Sequence, residues 1–496
     1  MRTAGVLLHI SSLPSPGGIG TLGREARGFV DFLNASGFTI WQMLPVGPTG
    51  YGESPYQSTS TFAGNPLFID ERDLVEKGLL PKDALKDAPP EAANAGFVDF
   101  EPVKAYKKRL LECAFQYAFE RCRAEVEAFK EANSWLDDYA VYAALKEKFD
   151  LRSWMEWPDE YRFRKPEAMK AAREALSERI DYFCFEQYLF ALQWASLKTY
   201  ANERGVRLFG DMPIYVAEDS ADTWSQPEQF QFDETLHPIR VAGVPPDYFS
   251  ADGQLWGNPL YKWEDMEKNH FSWWIARLKA VASRFDIIRI DHFIGFANYY
   301  SIPYGATNAR IGEWVDAPGR ALFAEVKKQL PDLSIIAENL GVIGPRVKSL
   351  MRFCGYPGMK VLQFGFSGDS RNPQRPRYHT ENCVVYTGTH DNDTTIGWFK
   401  TADEREKKCL KRITGATSDQ NVAWLMILCA LHSRADTAII PMQDMLELDE
   451  KARMNVPGVL GGNWLWRMTG MPEVELAEKM RAALSETGRI APQAAK

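Results

Sequence analysis

Apolar runs bounded by turn residues recur along the whole chain, and between them apolar positions return every three to four residues, as on one face of a helix. Eight such runs occur, at 4–13, 38–46, 206–216, 285–293, 333–341, 359–366, 383–391 and 437–445. They read as strands buried on both faces, the habit of a parallel sheet. Segments such as REARGFVDFLNASG (24–37) and GRALFAEVKKQL (319–330) carry the helical period and stand between them. Strand then helix, eight times over, predicts an α/β chain folded as a (β/α)8 TIM barrel, with 1–496 as a single catalytic unit.

The runs are unevenly spaced. Residues 47–204, between the second and third, contain long amphipathic stretches at 103–133 and 180–204, too much chain for a connection; they are expected to form an inserted, mainly helical subdomain. Residues 217–284, between the third and fourth, are rich in Gly, Pro, Asp and aromatics and are expected to form an inserted loop-rich subdomain, of the kind that makes lids and binding walls. The opening MRTAGVLLHISSLP is not followed by a small-residue cleavage site, so it reads as a first strand and not as a leader. The last residues, APQAAK, are expected to fray.

Composition narrows the functions. Acidic residues number 66 against 58 basic ones with no long basic run, which disfavours nucleic acid as a partner. No stretch approaches the ~20 apolar residues of a membrane helix, so no membrane role is expected. The seven cysteines form no CxxC pair, against a disulfide framework or a zinc site, and fit a reducing cytoplasm. Cys383 and Cys429, in apolar surroundings, are expected to be buried space-fillers.

Charge interrupts the apolar pattern at the ends of several runs. In FDIIRIDHFIG (285–295), Arg289 and Asp291 are two apart and share a strand face, where burial costs several kcal/mol unless the charges pair or are used. Asp211, Asp291, Glu338 and Asp391 all fall at C-terminal ends of predicted strands, together with His292 and His390. In a barrel those ends face one another across the mouth. Carboxylates crowded at one mouth drive their pKa values apart, so one site can hold both a protonated acid and a charged nucleophile. Glycosidic bond chemistry requires that pair, and Asp291 with Glu338 is the pair read here, Arg289 holding the aspartate's charge ready for attack.

The combination of RIDH (289–292), IAENLG (336–341), TGTHDND (387–393), GDMPIYV (210–216), SPYQSTSTFAGNP (54–66) and GQLWGNP (253–259) resembles the 4-α-glucanotransferases of the amylomaltase type, glycoside hydrolase family 77, relatives of the α-amylases. The motifs span nearly the whole chain in the family's order. The resemblance implies a barrel with inserted subdomains that moves α-1,4-glucan segments between maltooligosaccharides, without cofactor or metal, in the cytoplasm or alternatively a plastid. It implies Asp291 as nucleophile, Glu338 as general acid/base and Asp391 as transition-state stabiliser. Arg289, His292, His390 and Asp211 match donor-side positions. Tyr56, Gln254 and Trp256 match positions lining the acceptor side, with Trp256 on a loop over the cleft; Ser54 and Asn463 complete the expected substrate contacts. The segment around Tyr248, Phe249 and Trp256 is expected to keep water from the site. Asn339 departs from the Asp that many relatives carry after the glutamate.

Simpler readings stand beside these. Singly, His292 and His390 read as buried hydrogen-bonding histidines and Trp256 and Tyr56 as core aromatics; their places beside proposed catalytic aspartates and in Gly- and Pro-rich stretches favour substrate contact. GIGTLG (18–23) fits a dinucleotide fingerprint, but prolines 14 and 16 separate it from the strand and no ribose-binding acid follows the next one. DNDTTI (391–396) has Ile where an EF-hand loop needs Gly. The competing functions are a retaining α-glucan hydrolase and a catalytically silent glucan-binding protein.

Overall fold

The computed structural model describes residues 2–87, 96–246, 251–341, 343–415 and 421–490; the 491–496 tail, Tyr248 and Phe249 lie outside them. In chain order its strands are β1 (Thr3–Leu7), β2 (Ile40–Gln42), β3 (Arg207–Met212), β4 (Arg240–Val244), β5 (Gln254–Pro259), β6 (Ile287–Ile290), β7 (Asn298–Pro303), β8 (Glu313–Asp316), β9 (Ile335–Ala337), β10 (Gly358–Val361), β11 (Cys383–Tyr386) and β12 (Thr437–Pro441). Eight of them close a barrel in the order β1-β12-β11-β10-β9-β6-β3-β2, every ladder parallel. Each barrel strand falls, to within one residue, in one of the eight apolar runs. The strands are shorter than the runs, because the second half of each run leaves the ladder. Ile10–Ser12, Phe293–Phe296 and Leu362–Phe366, for instance, are short 3-10 helices just beyond strand ends. These departures carry the polar residues to the mouth.

Between β2 and β3 the chain forms the long helices Phe100–Ala132, Trp135–Lys148 and Ser177–Glu203. Their apolar faces meet through rings such as Phe115, Phe119 and Phe185 and continue the barrel's core without a break. Lys107, almost wholly buried, is paired with Glu71 and donates to the Ile69 carbonyl at 2.7 Å, so its charge is compensated inside the packing.

The stretch 217–284 departs from the loop-rich expectation. β4 and β5 join β7 and β8 in a four-stranded antiparallel sheet of order β5-β4-β7-β8. Of the outer strands, β5 is partly and β8 largely uncovered, polar residues interrupt β7, and β5 contains Gly257 and Pro259 and pairs with β4 through a register shift, so no continuous apolar run announces them. Two glycines of GIGTLG serve packing: a Cβ on Gly20 would stand 1.7 Å from the Ile10 carbonyl oxygen, and one on Gly23 would meet the Asp70 carboxyl. All seven cysteines are free; Cys383 is buried, but Cys429 is only partly so, on the helix Val422–His432.

Candidate active site

Arg289 gathers the first half of the site. β3 and β6 pair with Asp211 opposite Arg289, and Asp291 follows two residues later on the same face. The buried guanidinium donates through Nη1 to both oxygens of Asp211, at 2.6 and 2.7 Å, and through Nη2 reaches Asp291 Oδ1 at 2.8 Å. Burial works against the arginine's charge, but Asp211 and Asp291 outweigh it and hold its pKa well above normal. Burial raises the Asp211 carboxyl, and Arg289 draws it back. Tyr56 donates to Asp211 Oδ2 at 2.8 Å; burial and then that carboxylate's charge keep its phenol protonated.

Glu338 stands one residue beyond β9, in step with Asp291 one residue beyond β6, because Ile290 and Ala337 are register partners. Its carboxyl accepts from the backbone amides of His292 at 2.9 Å and Leu340 at 2.6 Å. Burial pushes its pKa up to about 7; Arg289 opposes the rise and the Asp291 charge adds to it. His292 adopts a left-handed backbone, φ 46°, ψ 46°, which a side chain of its size rarely does. Its ring meets Trp256 edge-on at 4.9 Å, and burial lowers its pKa to about 4, so it is neutral at pH 7. Asn339 carries its own bond across to β10, accepting from the Met359 amide at 2.8 Å.

Asp391 comes from the loop after β11. Its Oδ1 accepts from Asn455 Nδ2 at 2.7 Å and lies 3.4 Å from His390 Nε2, and its carbonyl accepts from Arg453 at 2.8 Å. Buried Asp444 clamps that loop, accepting from the Thr387 hydroxyl and from both the amide and hydroxyl of Thr395. The His390 ring is stacked on Tyr56, centroids 5.2 Å apart.

These groups border a cleft of about 350 Å³ lined by Ser54, Tyr56, Gln254, Trp256, Asp291, His292, His390, Asp391 and Asn463. Arg289, Asp211 and Glu338 are buried behind that lining. Three side chains at the rim are occupied locally: Ser54 Oγ accepts from the Tyr56 amide, Gln254 from the Trp256 indole at 3.1 Å, and Asn463 bonds within its own loop to Val456 and Val459. Tyr56, expected to line the acceptor side, touches Asp211 and His390. One expectation needs correction. Trp256 is on β5, not on a loop; a strand fixes its ring more firmly than a loop would. Tyr215, Asn258, Asn455 and Trp464 also border the cleft and were not singled out. Asn258 and Tyr215 sat inside quoted motifs, whereas nothing in the sequence marks Asn455, whose contact with Asp391 exists only through the fold. Among the described residues no group of three or more His, Cys, Asp or Glu side chains is placed to hold a metal ion, and no helix is long and apolar enough to cross a membrane.

A charged carboxylate fixed by arginine, a buried acid of raised pKa beside it and a third carboxylate across the cleft can together break and remake a bond at an acetal carbon. The family model described as 4-alpha-glucanotransferase matches residues 8–473. The 4-alpha-glucanotransferase of Thermus thermophilus is 45% identical over 502 residues, covering 99% of both chains; the chloroplastic/amyloplastic enzyme of Arabidopsis thaliana is 41% identical over 99% of this chain and 86% of its own. The solved amylomaltase of Streptococcus agalactiae in complex with acarbose superposes with a TM-score of 0.95 at 38% identity, covering 99% of this chain and 100% of that one.

Proposed function

The chain belongs to glycoside hydrolase family 77, the 4-alpha-glucanotransferases, and from that premise we propose the roles of its side chains. Asp291 attacks the anomeric carbon of an α-1,4-glucan; the bond to the departing chain breaks and its oxygen takes the proton of Glu338, leaving a glycosyl ester on the aspartate. The 4-hydroxyl of an acceptor maltooligosaccharide then gives its proton to the Glu338 carboxylate and attacks the same carbon, releasing Asp291. Two inversions return the α-configuration. Glu338 must turn from the amides of residues 292 and 340 toward the cleft to deliver its proton. Asp391, fixed by Asn455, holds hydroxyls of the flattened, positively charged sugar, so its effect falls on the transition state.

The reading rests on one observation: residues 291 and 338 follow register partners on paired strands, and the His292 amide bonds the Glu338 carboxyl. Purified protein given maltotriose should produce glucose together with longer oligosaccharides. Asp291→Asn should lower that turnover by about a thousandfold or more; turnover at the wild-type rate would remove Asp291 from its role.

A further inference from the structure

His390 borders two spaces. One is the cleft; the other is a small cavity of about 30 Å³ that it shares with His9, Asn392, Gln443 and Arg453. The surface of that second space is mainly apolar but carries these polar groups on its wall, and it is large enough for one water, which needs about 10–15 Å³. His9 stands two residues beyond β1. Its ring packs edge-on against Phe68 at 5.4 Å, it is 6% exposed, and its Nδ1 is buried with no hydrogen-bond partner among the described residues. Buried ring nitrogens are ordinarily paired, with protein or with ordered water. The reaction above gives His9 no part.

We propose that one ordered water occupies this cavity, bound by His9, and that through it His9 is a positioning residue for His390, fixing the tautomer that carries its proton on Nε2. Nε2 of His390 lies 3.4 Å from Asp391 Oδ1, so a proton there faces a carboxylate and the hydroxyls of a bound sugar. That tautomer leaves Nδ1 as an acceptor in need of a donor. The Tyr56 stack sets the plane of the ring but does not choose which nitrogen is protonated. Burial, and after it the neighbouring His390, lowers the His9 pKa to about 3, so His9 is neutral and its Nδ1 can accept one hydrogen of the water. The other hydrogen then goes to His390 Nδ1, and a water held in this way makes the choice.

The test uses the full-length enzyme labelled with ¹⁵N-histidine. The wild type should show ring shifts of an Nε2–H tautomer at His390 and cross-relaxation from a long-lived water to ring protons of both His9 and His390. His9→Phe should leave His390 as a tautomer mixture and lower kcat on maltotriose about tenfold, the lower end of what losing a partner behind a working histidine costs. KM should change far less, and His9→Gln, which can still bind water, should recover part of the loss. A wild-type His390 with its proton on Nδ1, or no long-lived water between the two rings, overturns the proposal even if His9→Phe does not fold. Unchanged kcat and unchanged His390 shifts in a folded His9→Phe protein overturn it equally.

Discussion

Single residues decide the pH dependence. Glu338 must be protonated to start the reaction, and its pKa of about 7 comes first from burial. The acidic form is therefore lost as pH rises through about 7, and kcat/KM for the donor should fall tenfold per pH unit on the basic side, with a limb near pH 7. A pH–rate profile on maltotriose checks this, and a limb two units higher would show that another group sets it. The same shift acts on stability: a folded value above the 4.5 of a free glutamate means the native state binds the extra proton, so this contribution is present below 4.5 and gone above about 7. The arrangement is a cost of function, since above about pH 7 the carboxyl ionises where burial disfavours its charge. His292 repeats the pattern, holding an unfavourable backbone angle that aims its amide at Glu338.

At the scale of elements, β5 makes one wall of the cleft. Gln254 and Trp256 stand two apart on it and are joined by a hydrogen bond, and Trp256 meets His292 on the neighbouring wall. A flat ring held by a strand can stack on a sugar face and keep water from the acetal carbon. Trp256→Ala should weaken acceptor binding or raise the ratio of hydrolysis to transfer several-fold, read as free reducing ends against longer oligosaccharides from maltotriose; an unchanged ratio and affinity would remove this role. The eight barrel strands were legible because both faces are buried and their sequences read as plain apolar runs. The antiparallel sheet that contains β5 was not, because its outer strands β5 and β8 are incompletely buried and glycine, proline and polar residues interrupt the sheet's sequences. Composition alone made that stretch look like loop.

Across the whole molecule, residues 2–3 and 487–489 meet at the barrel's seam. Arg489, fully buried, donates to the carbonyls of Thr3, Leu431, Ser433, Ala435 and Asp436, and Arg2 donates to those of Leu431, Ser433 and Thr487. Arg489→Met keeps the bulk and removes the donors, leaving buried carbonyls without partners; it should cost about 3 kcal/mol or more. The thermal midpoint should drop by several degrees while kcat on maltotriose at 25 °C stays within twofold, because the seam lies apart from the cleft. Periodicity, spacing and residue type, all local properties of the chain, determined the barrel, its long helices and the polar residues at its strand ends. Which of those residues touch was settled by register and closure alone. Asp211 opposite Arg289, Tyr56 on Asp211 and Asn455 on Asp391 join segments far apart along the chain, and a pairing of that kind leaves no local signature because its energy appears only when the segments come together.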